Sequence, residues 1–198
     1  MSKGTETRQV VLDEAARVAS RVGLGGLTIG SLATTTHLSK SGLFAHFQSK
    51  EALQLQLLDH TRERFVDLVV RPALAAPRGE PRVRELFSRW LAWDADALPG
   101  GCLFIAASAE FDAQPGPVRD RLAQDQRDWL DTMAQVFRTG VAEGQFRPDA
   151  DPEQFAYDLH GVMLAFHHAN RLLGDPDAPA RATRAFEALV LAARHPTF

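Results

Sequence analysis

Thr28-Ile-Gly-Ser-Leu-Ala-Thr-Thr-Thr-His-Leu-Ser-Lys-Ser-Gly-Leu-Phe-Ala-His-Phe-Gln-Ser-Lys-Glu-Ala-Leu53 carries three helix starts in close succession, at Thr28, Ser39 and Ser49. A hydroxyl residue placed just before an apolar-periodic run accepts from a first-turn amide and sets the start of a helix. Thr28 therefore opens a short helix carrying Ile29, Leu32 and Ala33, and Ser39 opens a second one that runs to about Phe47. Only Thr36-His37-Leu38 separates the two. Ala33 is small enough to let the second helix cross the first closely. Leu38 before the cap and Leu43 after it form a hydrophobic-staple pair, which fixes the entry angle of the second helix. Leu43 and Phe47, four residues apart, point inward, and Lys40, Ser41, Phe44, Ala45 and His46 point more outward. Two short helices joined this way are the layout of a helix-turn-helix, whose second helix is presented to a major groove.

Helical spacing continues on both sides. A first helix spans about Thr7 to Val22, with Val11, Ala15, Val18 and Val22 on one stripe, and Gly23, Gly25 and Gly26 end it. After Ser49 a long helix carries Leu53, Leu57, Thr61, Phe65 and Leu68 and is expected to stop near Pro72. Pro72, Pro77, Gly79 and Pro81 mark a loop. Beyond it come helices around Val83–Leu91, Leu103–Phe111 and Val118–Gly144. Asp151 caps the next, with Pro152 at its first position, and Gly174 ends it. The last spans about Pro179–Arg194. The expected fold is all-α with about nine helices. Residues 1–50 form a three-helix DNA-binding domain, 51–71 a connecting helix, and 72–198 a helical ligand-binding and dimerisation domain.

Composition limits the function classes. The chain has 198 residues, 45% hydrophobic and 24% charged, which suits an ordinary globular protein. No apolar run approaches a membrane span, and residues 1–8 have no signal-peptide character, so a cytoplasmic protein is expected. Cys102 is the only cysteine, which excludes an internal disulfide. The net charge of −3 is unevenly spread: residues 1–50 carry six Lys/Arg and three acids, and the remainder 16 and 22. A basic start on an acidic chain suits an end that meets a polyanion. Lys50 adds to this. A cation in the first turn of a helix opposes the macrodipole, and it makes sense where a phosphate docks on that helix end. Glu51 beside it offers the alternative of local compensation.

The paired Leu32-Ala33, Leu38-Ser39-Lys40, Gly42-Leu43-Phe44, His46-Phe47 and Ser49-Lys50-Glu51-Ala52-Leu53 make residues 7–58 resemble the DNA-binding domain of the tetracycline-repressor (TetR) family. The rest is similar in architecture only. The resemblance implies a homodimer that binds a palindromic operator in double-stranded DNA and releases it when a small-molecule effector binds. It implies phosphate contacts from Thr28, Ser39, Ser41 and Lys50, and base-edge contacts from Lys40, Gly42, Ala45 and His46. Three positions depart from the family's pattern. His37 stands where the turn usually has Gly, and histidine tolerates left-handed backbone better than most side chains. Phe44 stands where Tyr is common, losing a phenolic contact but still able to pack on a sugar or a thymine methyl. Ala45 stands where a second histidine or similar residue often precedes His46. These departures bear on operator sequence.

In the C-terminal part, the helix from Pro152 has one stripe of Phe155, Leu159, Met163 and Phe166 and another of Tyr157, Gly161, Leu164 and His168. A helix apolar on several sides is buried on several sides, and a partner subunit is a natural cover. The last helix carries Ala182, Ala185, Ala188 and Ala192 beside Phe186, Leu189 and Val190, which permits close contact. An effector of apolar or aromatic character would meet some of Trp90, Trp93, Phe104, Phe111, Trp129, Met133, Phe137, Met163, Phe166 and His167; mostly apolar linings with a few polar groups are usual for such sites.

No enzyme is expected. The nucleophile elbow, the phosphate-binding glycine loop and the His-Glu-x-x-His motif are all missing from the sequence. Gly23-Leu24-Gly25-Gly26 follows a helix and reads as a helix stop. Ser108, Glu110 and Asp112 have no positioned histidine. His160 and His167 lie about 10 Å apart along a helix, too far to share an ion, so no metal and no cofactor is expected. The competing reading is a helical protein-interaction module with weakened DNA binding, for which His37 and Phe44 speak.

Overall fold

The computed structural model describes residues 3–194; residues 1–2 and 195–198 lie outside the described residues. The helices are α1 (Lys3–Val22), α2 (Ile29–Thr36), α3 (Lys40–Phe47), α4 (Lys50–Phe65), α5 (Arg71–Ala75), α6 (Glu80–Ala92), α7 (Leu103–Phe111), α8 (Pro117–Ala142), α9 (Pro152–Arg171) and α10 (Ala178–Ala193). A π turn at Val66–Val70 joins α4 to α5 without a loop, and another, Trp93–Ala97, extends α6. The described residues contain no strand, only one isolated antiparallel bridge between Phe146 and Arg194. The all-α architecture with about nine helices is as expected once α4, its π turn and α5 are taken as one. The backbone packs into two compact units, one of residues up to 64 with 96–125, the other of 65–95 with 126 onward.

In the first unit, α1 turns Val11, Leu12, Ala15, Ala16 and Ala19 inward. The expected stripe through Val18 and Val22 is corrected: Val18 is half-buried and Val22 is exposed. Alanines own the inner face because a helix lined with small side chains can approach α2 and α7 closely. α4 buries Leu53, Leu57 and Thr61, and the Thr61 hydroxyl is satisfied by donating to Leu57 O at 2.8 Å. Asp13 holds α4 to α1 by accepting from Arg64 at 2.8 Å and pairing with His60 at 2.9 Å.

The expected stop at Pro72 does not occur. Proline has no N–H, and its ring crowds the carbonyl four residues back. The wider π turn relieves this: the Arg71 N–H reaches Val66 O, five residues back, and the helix runs on through Pro72 to Ala75. The extra residue rotates the helix face, so Val69 is buried and Leu68, expected inward, is half exposed. The loop expected from Pro72 to Pro81 shrinks to residues 76–79.

In the second unit, Val83, Leu86, Phe87 and Trp90 of α6, Met133, Val136 and Phe137 of α8, and Phe155, Leu159, Met163 and Phe166 of α9 are buried. Phe87 stacks on Phe186 of α10 with ring centroids 4.1 Å apart. Asp151 caps α9, its Oδ1 accepting from the N–H groups of Glu153 and Gln154 at 2.9 and 3.1 Å. α10 buries Ala182, Phe186 and Val190, while Ala188 and Ala192 of its alanine line face outward.

A charged cluster ties α6 to α10. Glu80 accepts from Arg84 at 2.7 Å and from Arg194 Nε at 2.8 Å, and Arg84 also donates to Glu187 at 2.6 and 3.0 Å. The hydrogen bond from Arg194 holds the Glu80 carboxyl below its ordinary value of 4.5, with help from Arg84 and against partial burial. A carboxyl lowered in the folded state stabilises that state above its ordinary value, and this contribution is lost as pH falls through the lowered value. Glu80→Gln should therefore unfold earlier than wild type at neutral pH in a thermal scan, and the gap should close below pH 4.5. A gap unchanged down to pH 2 would mean that Glu80 acts through packing.

Candidate nucleic-acid interface and effector site

α2 and α3 are set at their starts. Thr28 has extended backbone, and its Oγ1 accepts from Ser31 N–H at 2.9 Å while Ser31 Oγ accepts from Thr28 N–H at 3.2 Å, a reciprocal cap. Ser39 Oγ accepts from Gly42 N–H at 3.1 Å. Between the helices His37 takes the left-handed conformation at φ 56° that the turn demands. Leu32 and Ala33 of α2 and Leu43 and Phe47 of α3 are buried, which fixes α3 on its inner side and leaves the other outside.

That outer side gathers Lys40, Ser41, Gly42, Phe44, Ala45 and His46, all exposed. Ser39 and Ser41 hydroxyls lie 3.2 Å apart at the helix start. The Thr28 hydroxyl is already engaged with Ser31, so its outward capacity is limited; the first-turn amides of α2 beside it have no acceptor within the helix. Lys50, expected to be free for phosphate, donates to Gly25 O. Ser49 caps α4 by accepting from Ala52 N–H at 3.0 Å.

The segment that carries α2 and α3 is also distinct in its charge. Between Glu14 and Glu51 the chain has no acidic residue, while Arg17, Arg21, Lys40 and Lys50 are all exposed. The recognition helix and the chain on either side of it thus contribute no negative side chain of their own. A count of charges from the N-terminus conceals this, because Glu6, Asp13 and Glu14 cluster before it.

The ten effector candidates divide between the units. Phe104 and Phe111 are buried in the first, and Trp90, Trp93, Trp129, Met133, Phe137, Met163 and Phe166 in the second. Within the second unit Phe65 stands edge-to-face against both Trp93 and Trp129, with centroids 5.3 and 5.0 Å away. The indole N–H groups of these tryptophans are buried with no hydrogen-bond acceptor among the described residues. Trp90 meets Phe166 at 6.0 Å. Phe137 belongs elsewhere, stacked on Phe146 and Phe155. His167 is half-buried, its Nδ1 2.6 Å from the fully buried carboxylate of Asp94. Burial lowers the tendency of His160 to protonate.

A groove of about 560 Å³ lies along α9 and α10, lined by Tyr157, Gly161, Ala165, Arg181, Ala185 and Leu189 among others. Of the ten effector candidates only Phe166 reaches it. Tyr157 and Leu164 beside it are exposed, so the second stripe of α9 has no cover among the described residues. The described residues contain no group of three or more His, Cys, Asp or Glu that could hold a metal, and no helix long and apolar enough to cross a membrane.

The sequence and fold match known proteins along most of the chain. Residues 11–57 match the family model described as bacterial regulatory proteins, tetR family, and residues 79–186 that described as tetracyclin repressor-like, C-terminal domain. The HTH-type transcriptional repressor DhaR of Mycobacterium sp. (strain GP1) is 27% identical over 154 residues, 77% of this chain and 76% of DhaR. A TetR-family transcriptional regulator from Cytophaga hutchinsonii shares the fold with a TM-score of 0.86 at 20% identity, over 100% of this chain and 99% of its own. AibR, solved in complex with isovaleryl coenzyme A and operator DNA, does so with a TM-score of 0.72 at 19% identity, over 96% of this chain and 100% of its own. At such identities the two structures speak for the fold. TetR-family regulators are non-enzymatic DNA-binding proteins. With more than half of its length under one family description and its helix-turn-helix under another, this chain belongs to the TetR family of transcriptional regulators.

Proposed function

We propose that the protein is a cytoplasmic, ligand-responsive repressor that binds a palindromic operator as a homodimer and is released by a small-molecule effector. In this reading residues 1–50 read DNA, 51–71 connect, and 72–198 dimerise and hold the effector. The observation that carries it is the outer side of α3: exposed Lys40, Ser41, Gly42, Phe44, Ala45 and His46 over buried Leu43 and Phe47, in a stretch of chain with no acidic residue between Glu14 and Glu51. Lys40, Gly42, Ala45 and His46 meet base edges, and Phe44 packs on a sugar or a thymine methyl. Ser39, Ser41, Thr28 and Lys50 face phosphates, and Lys50 exchanges its Gly25 carbonyl for one.

The uncovered apolar face of α9 and α10 supports self-association. The buried indole N–H groups of Trp93 and Trp129 support an effector that offers a hydrogen-bond acceptor on an apolar body, since an unpaired buried donor costs about 1–3 kcal/mol. AibR, whose structure holds an acyl coenzyme A and operator DNA together, shows one such pairing of ligand and DNA on this fold.

Selection of random duplex DNA by the purified protein tests the reading. Enrichment of a palindrome with half-sites roughly 34–36 Å apart is expected. Lys50→Ala should then weaken binding on all sequences alike and shallow its salt dependence by about one phosphate's worth. A changed operator preference at unchanged salt slope would remove Lys50 from the phosphate contacts. Binding without an enriched sequence would favour the interaction module, for which an apolar Phe44 exposed at the centre of α3 speaks.

A further inference from the structure

Two features that look unrelated along the chain meet in the first unit. One is the glycine-rich loop Gly23-Leu24-Gly25-Gly26, and the other is Glu110 at the end of α7. The Glu110 carboxylate accepts from Leu24 N–H at 2.8 Å and from Gly25 N–H at 2.7 Å. Hydrogen bonds to an ionised acceptor are the stronger kind. The loop is shaped to receive it. A Cβ on Gly25 would stand 2.5 Å from a carboxylate oxygen, and one on Gly23, which also holds φ at +83°, would stand at 2.8 Å. The same two residues are held through their carbonyls by α4: Gln54 Nε2 donates to Leu24 O at 2.9 Å, and Lys50 Nζ donates to Gly25 O.

A second fastening lies one turn of chain earlier. Gly100 N–H donates to Ser20 Oγ at 3.1 Å, and any side chain on Gly100 would fall onto the Ser20 carbonyl. The loop leading into α7 and the end of α7 are thus both pinned to the junction between α1 and α2. That junction feeds directly into Thr28, the cap that fixes where α2 begins. Leu24 and Leu27, both fully buried, leave the junction little slack.

We infer that Glu110 is a positioning residue for DNA binding: its carboxylate sets the pose of α2 and α3 through the Gly23–Gly26 loop. The inference rests on the DNA-binding reading for its affinity consequence. Its mechanical consequence, the immobilisation of α2 and α3, stands apart from that reading.

The experiment compares wild type with Glu110→Ala, Glu110→Gln and Gly25→Ala. Glu110→Gln keeps one acceptor oxygen. Gly25→Ala displaces the carboxylate from the loop side, so one variant reports even where another folds poorly. Each is measured by amide hydrogen exchange over residues 28–47, with the α9 and α10 amides as control, and by affinity for the duplex pool at several salt concentrations. Glu110→Ala and Gly25→Ala should raise exchange over residues 28–47 by roughly tenfold, leave α9 and α10 unchanged, and weaken DNA binding by roughly tenfold. The salt slope should stay at the wild-type value, since no phosphate contact is removed. Glu110→Gln should fall between, and the double variant should be no worse than the singles, because both break one contact.

Unchanged exchange over residues 28–47 would overturn the inference. So would faster exchange with undiminished affinity, because Glu110 would then serve stability alone. If wild type itself bound no DNA, the DNA-binding reading would fall, and the exchange measurement would still decide whether Glu110 holds α2 and α3.

Discussion

Gly161→Arg is expected to leave the protomer folded and abolish self-association. Gly161 sits on the exposed side of α9 at the floor of the α9/α10 groove, and nothing lies within 4 Å of where its Cβ would be. The substitution therefore costs the isolated chain no clash. It should even favour the helix, since glycine in a helix interior is worse than arginine by up to about 1 kcal/mol. A partner helix seated in the groove would meet a long cationic side chain with no room and, in the two-fold arrangement, a second arginine facing the first. Arg181 already lines the groove, which adds a like charge.

Two measurements read the outcome together. Light scattering should show monomers at micromolar concentration, and operator affinity should fall by roughly 10²–10⁴, the loss of a second tethered half-site. Melting would separate the effects further. A dimer is stabilised by its own association, so wild type should melt higher as protein concentration rises, and the variant should not. If Gly161→Arg remains dimeric, the α9/α10 face is not the interface. If wild type is already monomeric, the half-site argument fails with it.

How far the sequence could be read depends on what kind of information each feature carries. The helix starts at Thr28, Ser39, Ser49 and Asp151 were legible because a cap is local: a side-chain oxygen and an amide two or three residues on suffice. The left-handed turn at His37 was legible through the family resemblance, which places Gly there, together with histidine's tolerance of that conformation. Passage of the long helix through Pro72 was not, because its relief comes from a π turn that no residue pattern announces. The inward face of α1 was legible only in part: Val11 and Ala15 are buried as expected, and Val18 and Val22 are not. Valines mark a stripe, but the alanines win where neighbouring helices press close, and that is a tertiary fact. Glu110 was visible only as an acid without a catalytic partner. Its socket lies 86 residues earlier in the chain, and spacing along a sequence says nothing about such a meeting. Among the effector candidates, burial was foreseeable from residue type, but the division of the ten between two units was not.

Phe137 shows what that division implies, and Phe137→Ala should be the most damaging single truncation in the second unit. Its ring is fully buried, stacked on Phe146 at 4.4 Å and on Phe155 at 4.1 Å. The ring is enclosed by the protein's own side chains, which favours a core role for Phe137 over an effector contact. The packing is tight around it: a Cβ on Gly140, one turn away, would run into the Phe146 ring. A hole left here has little freedom to collapse, because Phe146 is also held by the bridge to Arg194, with Arg147 N–H donating to Ala193 O at 2.9 Å. Truncating a buried phenylalanine costs about 3–5 kcal/mol, and each lost aromatic pair adds roughly 0.5–1.5 kcal/mol. Against a typical total of about 5–15 kcal/mol this is a large share, and the melting temperature should drop by roughly 10 °C or more. Phe137→Leu, which keeps most of the volume and loses the stacking, should recover about half of the loss. A drop of under about 3 °C for Phe137→Ala would mean that the stack yields to fill the space; the three rings would then form a deformable layer, and Phe137 would return to the candidates for contact with the effector.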